Sequence, residues 1–436
     1  YFCSAVTWTS LTIGTFNARI CDGGLIFDAK GPLAKPKNKQ NLNVLAALLN
    51  STTSNFFLKL LAPTMDYNQG PVGRIPWPKE LSYIHETLNE NSSSLINIAK
   101  SDWNGFETSW DFTINQLLSY DFHSETIKNT YDSLRVYWQE MTDEMLKLEE
   151  ENNRIFIDAY GLQDELTPDV PIHEITLTCN PAYRYGQKVS KEDQETRLRA
   201  DTMKEFISYS VGCMFGRYAL EEPGLILANA GDTIETYMNK IPNPKFPADD
   251  DNVIPILNAE WFEDDIVGRF RKFLRITFGN ENFEENLNFI ETAIGRSIRD
   301  YFVKDFYKDH IQTYKKRPIY WQFSSPKGSF NALIYMHRYN KDTVSTILNS
   351  YLRDYQSKLT AEKTAQERIE VSATSNAVEK TKALKEIQSI TSILNELEEW
   401  ERDVIFPLAS QRLEIDLDDG VKVNYPKFGT AVTQVA

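Results

Sequence analysis

Residues 131–150 read YDSLRVYWQEMTDEMLKLEE. Leu134, Trp138, Met141, Met145 and Leu148 recur at steps of four, three, four and three, which draws one apolar stripe along an otherwise charged helix. Gly161, Pro168 and Pro171 end it, since proline cannot donate the helical hydrogen bond. Helical spacing dominates the rest of the chain, and strand signals are few and short. The sequence therefore predicts an α+β, predominantly helical fold, with a small mixed α/β unit followed by a large helical body and a long helix near the C-terminus. The expected divisions are 1–78, a helical spacer at 79–170, a mixed but mostly helical body at 171–360, and a helix and tail at 361–436.

Towards the N-terminus, Val6–Thr9 and Thr12–Asn17 are rich in β-branched and aromatic residues and read as strands. Asp22-Gly23-Gly24 is a turn, and Leu25-Ile26-Phe27 reads as a short buried strand. Pro36–Gln40 is a polar, basic loop. One helix is expected from Asn41 to Leu60, stopped by Pro63, and Ile75-Pro76-Trp77-Pro78 closes the unit. In the other direction come a strand at Ile175-Thr176-Leu177, a helix from Thr202 to Arg217 and a proline-rich loop from Ile241 to Asp251. Residues 260–360 read as helices broken by a compact aromatic segment at 318–330. Ala383, Ile387, Ile390, Leu394 and Leu397 have heptad spacing over about two heptads, which suits a helix packed on its own domain. No internal repeat is found.

The 436 residues are 41% hydrophobic and 12% aromatic, a composition that folds. No stretch approaches the roughly 18 apolar residues of a membrane span. Tyr1-Phe2-Cys3-Ser4-Ala5-Val6 lacks the basic start and cleavage site of a signal peptide and reads as a point inside a longer polypeptide. Cys3, Cys21, Cys179 and Cys213 show no CxxC spacing, the pattern of reduced cytoplasmic thiols. The net charge of −15 argues against a polyanion partner on average, yet it is unevenly spread. Residues 1–80 carry +4, residues 303–360 carry +6, and the remainder −25. Two basic islands on an acidic body suit a groove for a polyanion, or reflect ordinary surface variation.

Asn180-Pro181-Ala182-Tyr183 approaches the Asn/Asp-Pro-Pro-Tyr/Phe loop with which adenine N6 methyltransferases hold a flipped base. Its third position is Ala182, and no glycine-rich strand–turn–helix for S-adenosylmethionine precedes it, so a turn is the better reading. His85, His123, His173, His310 and His337 are isolated and give no metal-ligand spacing. Asp249-Asp250-Asp251 and Asp416-Leu417-Asp418-Asp419 read as solvated loops. The segment Lys315–Gly328 sets Lys315, Lys316, Arg317 and Lys327 beside Tyr320, Trp321 and Phe323. That suits phosphate contact with base stacking, or a core strand flanked by a basic turn, and the two are compatible.

Two stretches then become specific. Thr7–Asp28, Leu45–Ser51, Phe57-Leu58-Lys59, Pro63–Gly70 and Arg74-Ile75-Pro76 resemble the target-recognition domain of class γ adenine methyltransferases and type IIG restriction-modification enzymes. From Arg154 onward, the runs Tyr160–Leu166, Gly212–Tyr218, Arg317–Trp321, Ser324–Gly328, His337–Thr343 and Leu417–Tyr425 resemble the carboxy-terminal half of the PglX family. That family comprises the adenine-specific methyltransferases of BREX phage-defence systems. The resemblance implies a bacterial, cytoplasmic protein that marks host DNA as self. It places the S-adenosylmethionine site and the catalytic loop before Tyr1, so neither a catalytic nor a cofactor residue carries over to this chain. Double-stranded DNA, the N-terminal methyltransferase domain and other BREX proteins are the implied partners. Candidates for reading bases are Asn17, Arg19, Lys37, Asn38, Lys39, Asn68, Gln69 and Arg74, since Asn and Gln pair with adenine and Arg or Lys with guanine. Candidates for backbone contact or stacking are Lys315, Lys316, Arg317, Tyr320, Trp321 and Lys327. The alternative is a protein-interaction scaffold with incidental DNA contact.

Overall fold

In the computed structural model the described residues are 2–12, 14–64, 66–78 and 85–435. Ile13 of the expected Thr12–Asn17 strand, Met65 of the Pro63–Gly70 run, and Lys79 and Glu80 of the first basic island lie outside them. The fold is α+β and 57% helical. It divides into two compact units, residues 1–105 with 133–198, and residues 106–132 with 199–436.

In the first unit, β1 (Ala5–Trp8) is the middle strand of an antiparallel sheet, flanked by β2 (Ala18–Cys21) and β3 (Leu33–Ala34). Val6 and Trp8 point to the core, where they join Phe16, Ala46, Leu49, Leu58, Tyr67 and Val72. The helix expected from Asn41 to Leu60 is two helices, α1 (Leu42–Asn50) and α2 (Thr52–Leu61). Ser51 is extended; its hydroxyl donates to Leu48 O (2.7 Å) and accepts from Ser54 N (3.1 Å), ending one helix and capping the next. A side-chain cap thus overrides a continuous apolar period. After α3 (Gln69–Val72), α4 (His85–Asn104) packs on α1, and Val44, Ala47, Leu48, Leu88 and Phe156 form a second core with α5 (Ile127–Tyr160).

Among the described residues three expected strands are absent: Thr12 and Gly14–Asn17 run as a loop into β2, which begins only at Ala18. Leu25 and Ile26 are exposed, because the Gly23-Gly24 turn, with φ of +97° at Gly24, leads the chain off the sheet; β3 supplies the second edge. Ile175 and Leu177 are buried but meet no partner strand. Their segment is fixed instead by Asp102, whose carboxylate accepts from Thr178 N (2.7 Å) and Cys179 N (2.9 Å). Short α6 (Pro181–Tyr185) follows, then α7 (Lys191–Met214), which begins eleven residues before the helix expected at Thr202.

The second unit contains α8 (Ile234–Lys240), β4 (Ile254–Pro255), α9 (Ile266–Phe278), α10 (Phe283–Ile294), α11 (Ile298–Tyr301), α12 (Tyr307–Thr313), β5 (Tyr320–Ser324), β6 (Asn331–Tyr335), α13 (Thr343–Thr346), α14 (Arg353–Val371) and α15 (Ala377–Trp400). The strands form an antiparallel sheet in the order β4-β6-β5, with Trp321 opposite Ile334. It is buried on both faces, so consecutive residues such as Tyr320 and Trp321 or Leu333 and Ile334 are all buried, and the buried Gln322 and Asn331 bond each other (3.0 Å). The heptad helix α15 lies along α14 within its own unit and buries Ala383, Ile390, Leu397 and Trp400. No single helix among the described residues is long and apolar enough to cross a membrane.

Candidate nucleic-acid interface

The register of the small sheet sorts the base-reading candidates into two groups. Thr7 opposes Arg19 and Trp8 opposes Ala18, so Asn17 and Arg19 stand where β1 ends and β2 begins. Arg19 is on the solvent face, with its guanidinium 3.4 Å from Thr9 Oγ1. The same end receives the loop before α3: Tyr67 N donates to Ser10 O (2.6 Å), and Trp8 Nε1 donates to Tyr67 O (2.5 Å). Asn68 and Gln69 follow directly, both exposed, and Asn68 Oδ1 caps α3 through Gly70 N (3.0 Å). Arg74 lies exposed in the turn after α3.

Lys37, Asn38 and Lys39 belong to the other end, because β3 runs antiparallel to β1 and carries the chain back past Cys3. There Lys35 hydrogen-bonds the Cys3 thiol and holds its pKa below the usual thiol value. Asn38 Oδ1 accepts from Gln40 N (3.1 Å), so it caps the turn leading into α1. Among the described residues no ion pair engages Arg19, Lys30, Lys37, Lys39, Lys59 or Arg74, and all six are exposed.

One residue with a structural task was missed. Asn50 donates to Ala18 O (2.9 Å) and accepts from Ala18 N (2.8 Å), imitating a neighbouring strand at the start of β2. It fixes the height of Asn17 and Arg19, and its place at the end of an apolar helix was the signal available.

In the second unit, Lys315, Lys316 and Arg317 form an exposed loop between α12 and β5. Lys316 N donates to Ile311 O (2.8 Å) and Lys315 N to Gln312 O (3.0 Å), a helix-ending pair usually built on glycine. Here Lys315 and Lys316 adopt φ of +50° and +62°, at a cost of about 1–2 kcal/mol each for a residue with a Cβ. Lys327 stands at the opposite end of β5, in its hairpin turn. Five residues at about 3.3 Å each set the two groups more than ~13 Å apart.

The rings between these cations do not face solvent. Tyr320 is 1% and Trp321 0% exposed, so neither presents a face to a base in this fold. Trp321 packs edge-on against Tyr425 and Phe428, while Tyr320 lies against His310 and Phe215. His310 Nε2 accepts from Ile319 N and Tyr320 N (both 3.1 Å), and burial lowers its pKa to about 3, so the ring is neutral. The core-strand reading of this segment describes its aromatic residues, and the basic-turn reading its cations.

The hairpin turn is locked by a buried carboxylate. Glu396 on α15 accepts from Ser325 Oγ (2.6 Å), Lys327 N (2.7 Å) and Ser329 Oγ (2.5 Å). That grip fixes the Lys327 backbone while its side chain stays exposed. A charged residue one position from the apolar heptad face was the signal for Glu396. The second basic island is thinner than its count suggests, since Lys304, Arg353 and Lys358 are ion-paired and Arg338 is buried. Lys308, Lys315, Lys316, Arg317, Lys327 and Lys341 are exposed and carry no ion pair among the described residues.

The methyltransferase-like loop is occupied by structural bonds. The Asn180 amide donates to Ile172 O (2.7 Å) and Ile175 O (2.9 Å), and its oxygen accepts from Ala182 N (3.1 Å). Asn180 is 2% exposed, so its side chain is turned into the structure and is not presented to an adenine amine. Nor do Gly23 and Gly24 open a helix, so these residues do not fit S-adenosylmethionine. Asp249-Asp250-Asp251 is a loop in which Asp250 and Asp251 are exposed, as the solvated-loop reading expects, while Asp249 is buried. Asp249 is 5% exposed and accepts from Asn252 N (2.8 Å), Asp251 accepts from Tyr351 Oη (3.0 Å), and Arg338 donates to the carbonyls of Asp249 (2.7 Å) and Asp250 (3.0 Å). Burial raises the Asp249 pKa, with Asp251 adding to the shift.

Sequence comparison agrees with the resemblance. No family model matches the chain. Over 98% of its length it is 38% identical to the adenine-specific methyltransferase PglX of Lacticaseibacillus casei (strain Zhang), of which it spans 34%. Over its full length it is 35% identical to the adenine-specific methyltransferase BrxX of Escherichia coli O9:H4 (strain HS), of which it spans 36%. The chain corresponds to the carboxy-terminal part of the PglX family. It therefore spans about a third of the length of the curated relatives it matches.

Proposed function

We propose that this region is the DNA-holding, sequence-reading portion of an adenine N6 methyltransferase that marks host DNA as self in BREX phage defence. The observation that carries this reading is the full-length match to two adenine-specific methyltransferases, of which the chain spans only a third. In this division of labour the remainder of the full-length protein supplies S-adenosylmethionine, the catalytic loop and the flipping of the target base, which costs a few kcal/mol of unstacking. This region holds the duplex in the bacterial cytoplasm. Lys315, Lys316, Arg317 and Lys327 meet phosphates, joined by Lys308 and Lys341.

Asn17, Arg19, Asn68, Gln69 and Arg74 are offered to base edges, each paired hydrogen bond giving about 1–3 kcal/mol of discrimination. Lys37, Asn38 and Lys39, at the other end of the sheet, suit a flanking phosphate or base. Support comes from a strained loop that keeps lysines where glycine would relax the backbone. The test exchanges residues 1–78 of the full-length protein for those of a relative and maps methylated adenines in cells. A changed methylation word with activity retained is expected. An unchanged word with activity retained overturns the assignment of sequence reading to this segment.

A further inference from the structure

We propose that residues 106–126 form a docking surface for a protein partner that presents paired basic side chains. The segment contains two similar tetrapeptides, Ser109-Trp110-Asp111-Phe112 and, ten residues on, Ser119-Tyr120-Asp121-Phe122. Both copies fold as the same turn, with Phe112 N donating to Ser109 O (3.4 Å) and Phe122 N to Ser119 O (3.1 Å).

In the first turn the last residue, Phe112, points inward, and in the second Phe122 is half-buried. Phe112 packs edge-on against Tyr209 and Tyr218, and beside Phe122 the His123 ring packs on Phe278. The segment is further anchored by buried Leu117, by Asn115 capping a helical turn, and by the bond from Gly224 N to Thr113 O (2.7 Å). Glu107 holds its start, accepting from Ser208 Oγ (2.8 Å) and Tyr314 Oη (3.1 Å).

The middle residues point outward. Trp110 is 98% and Tyr120 96% exposed, and Asp111 and Asp121 are exposed beside them. Among the described residues neither ring has a ring or hydrogen-bond partner, and neither carboxylate has an ion pair. A firmly anchored loop thus holds two large rings in water, each with a carboxylate next in sequence. Tryptophan and tyrosine are the residues that most often dominate protein interfaces.

An aromatic face attracts an ammonium or guanidinium group, and an adjacent carboxylate attracts the same cation. Those carboxylates would repel phosphate, so the chemistry favours arginine or lysine on a protein over nucleic acid. The surface is independent of the DNA-reading assignment and does not rest on it.

The test places p-benzoylphenylalanine at position 110 or 120 of the full-length protein in cells and identifies the light-induced adducts by mass spectrometry. Adducts are expected on protein segments containing arginine or lysine, and to fall at least tenfold when Asp111→Asn and Asp121→Asn are combined with the probe. Both carboxylates are exposed, so the melting temperature should not move. Adducts to DNA, adducts insensitive to the two substitutions, or no adducts would each overturn the proposal.

Discussion

Replacing Lys315, Lys316, Arg317 and Lys327 by alanine in the full-length protein removes four exposed cations without opening the core. Alanine is the right replacement at 315 and 316, because it retains the Cβ and leaves the left-handed strain unchanged. Each phosphate contact releases counterions and contributes about 0.9 to the slope of log affinity against log salt. Four contacts therefore contribute a slope of about 3.6. Between 50 and 200 mM salt the wild type should lose about 150-fold more affinity than the quadruple variant. Fluorescence anisotropy of a labelled duplex, titrated across that range, measures both slopes. Because the two groups sit at opposite ends of β5, the Lys315/Lys316/Arg317 triple and the Lys327 single variant should account for about 2.7 and about 0.9 of the slope separately. A quadruple variant whose slope matches the wild type would show that these residues do not touch the backbone.

Glu396→Ala should release the hairpin turn. It leaves Lys327 N and two serine hydroxyls without their acceptor, and hydrogen bonds to a charged group are worth about 1.5–3 kcal/mol each. Amide hydrogen exchange at Lys327 should accelerate at least tenfold; unaltered protection would refute the clamp. Glu149 provides a pH test, since burial raises its pKa from 4.5 to about 7, with Glu174 adding to the shift. The folded state then holds more protons than the unfolded one between about pH 4.5 and 7, so this group makes stability fall as pH rises through that window, by up to roughly 3 kcal/mol. Glu149→Gln should raise the melting temperature at pH 8 and leave it unchanged near pH 4; equal effects at both values would sink the assignment.

Much of the helical architecture was legible because it rests on local periodicity. The stripe from Leu134 to Leu148 and the heptads from Ala383 to Leu397 state their buried faces by spacing alone. The break at Ser51 was not legible, since Leu42–Leu61 keeps an apolar period while one hydroxyl ends a helix and starts another. Leu25–Phe27 failed because a short apolar run does not declare whether a partner strand will be there, and the Gly24 turn takes it away from the sheet. Asp249 failed for the reverse reason: in a run of carboxylates it looks as solvated as its exposed neighbours Asp250 and Asp251, until Arg338 and Arg269 arrive from distant parts of the chain.

The family correspondence, the helical character and the exposed basic loop at 315–317 were all legible before any folding was considered. Each of those is carried by residue identity and near-neighbour spacing. Tertiary structure decided which aromatic residues are available. Tyr320 and Trp321 vanish into a doubly covered sheet, whereas Trp110 and Tyr120 remain in water. It also decided that Lys327 is held by Glu396 from a helix nearly seventy positions away. Burial and long-range hydrogen bonding depend on which surfaces meet, and no local pattern encodes that meeting.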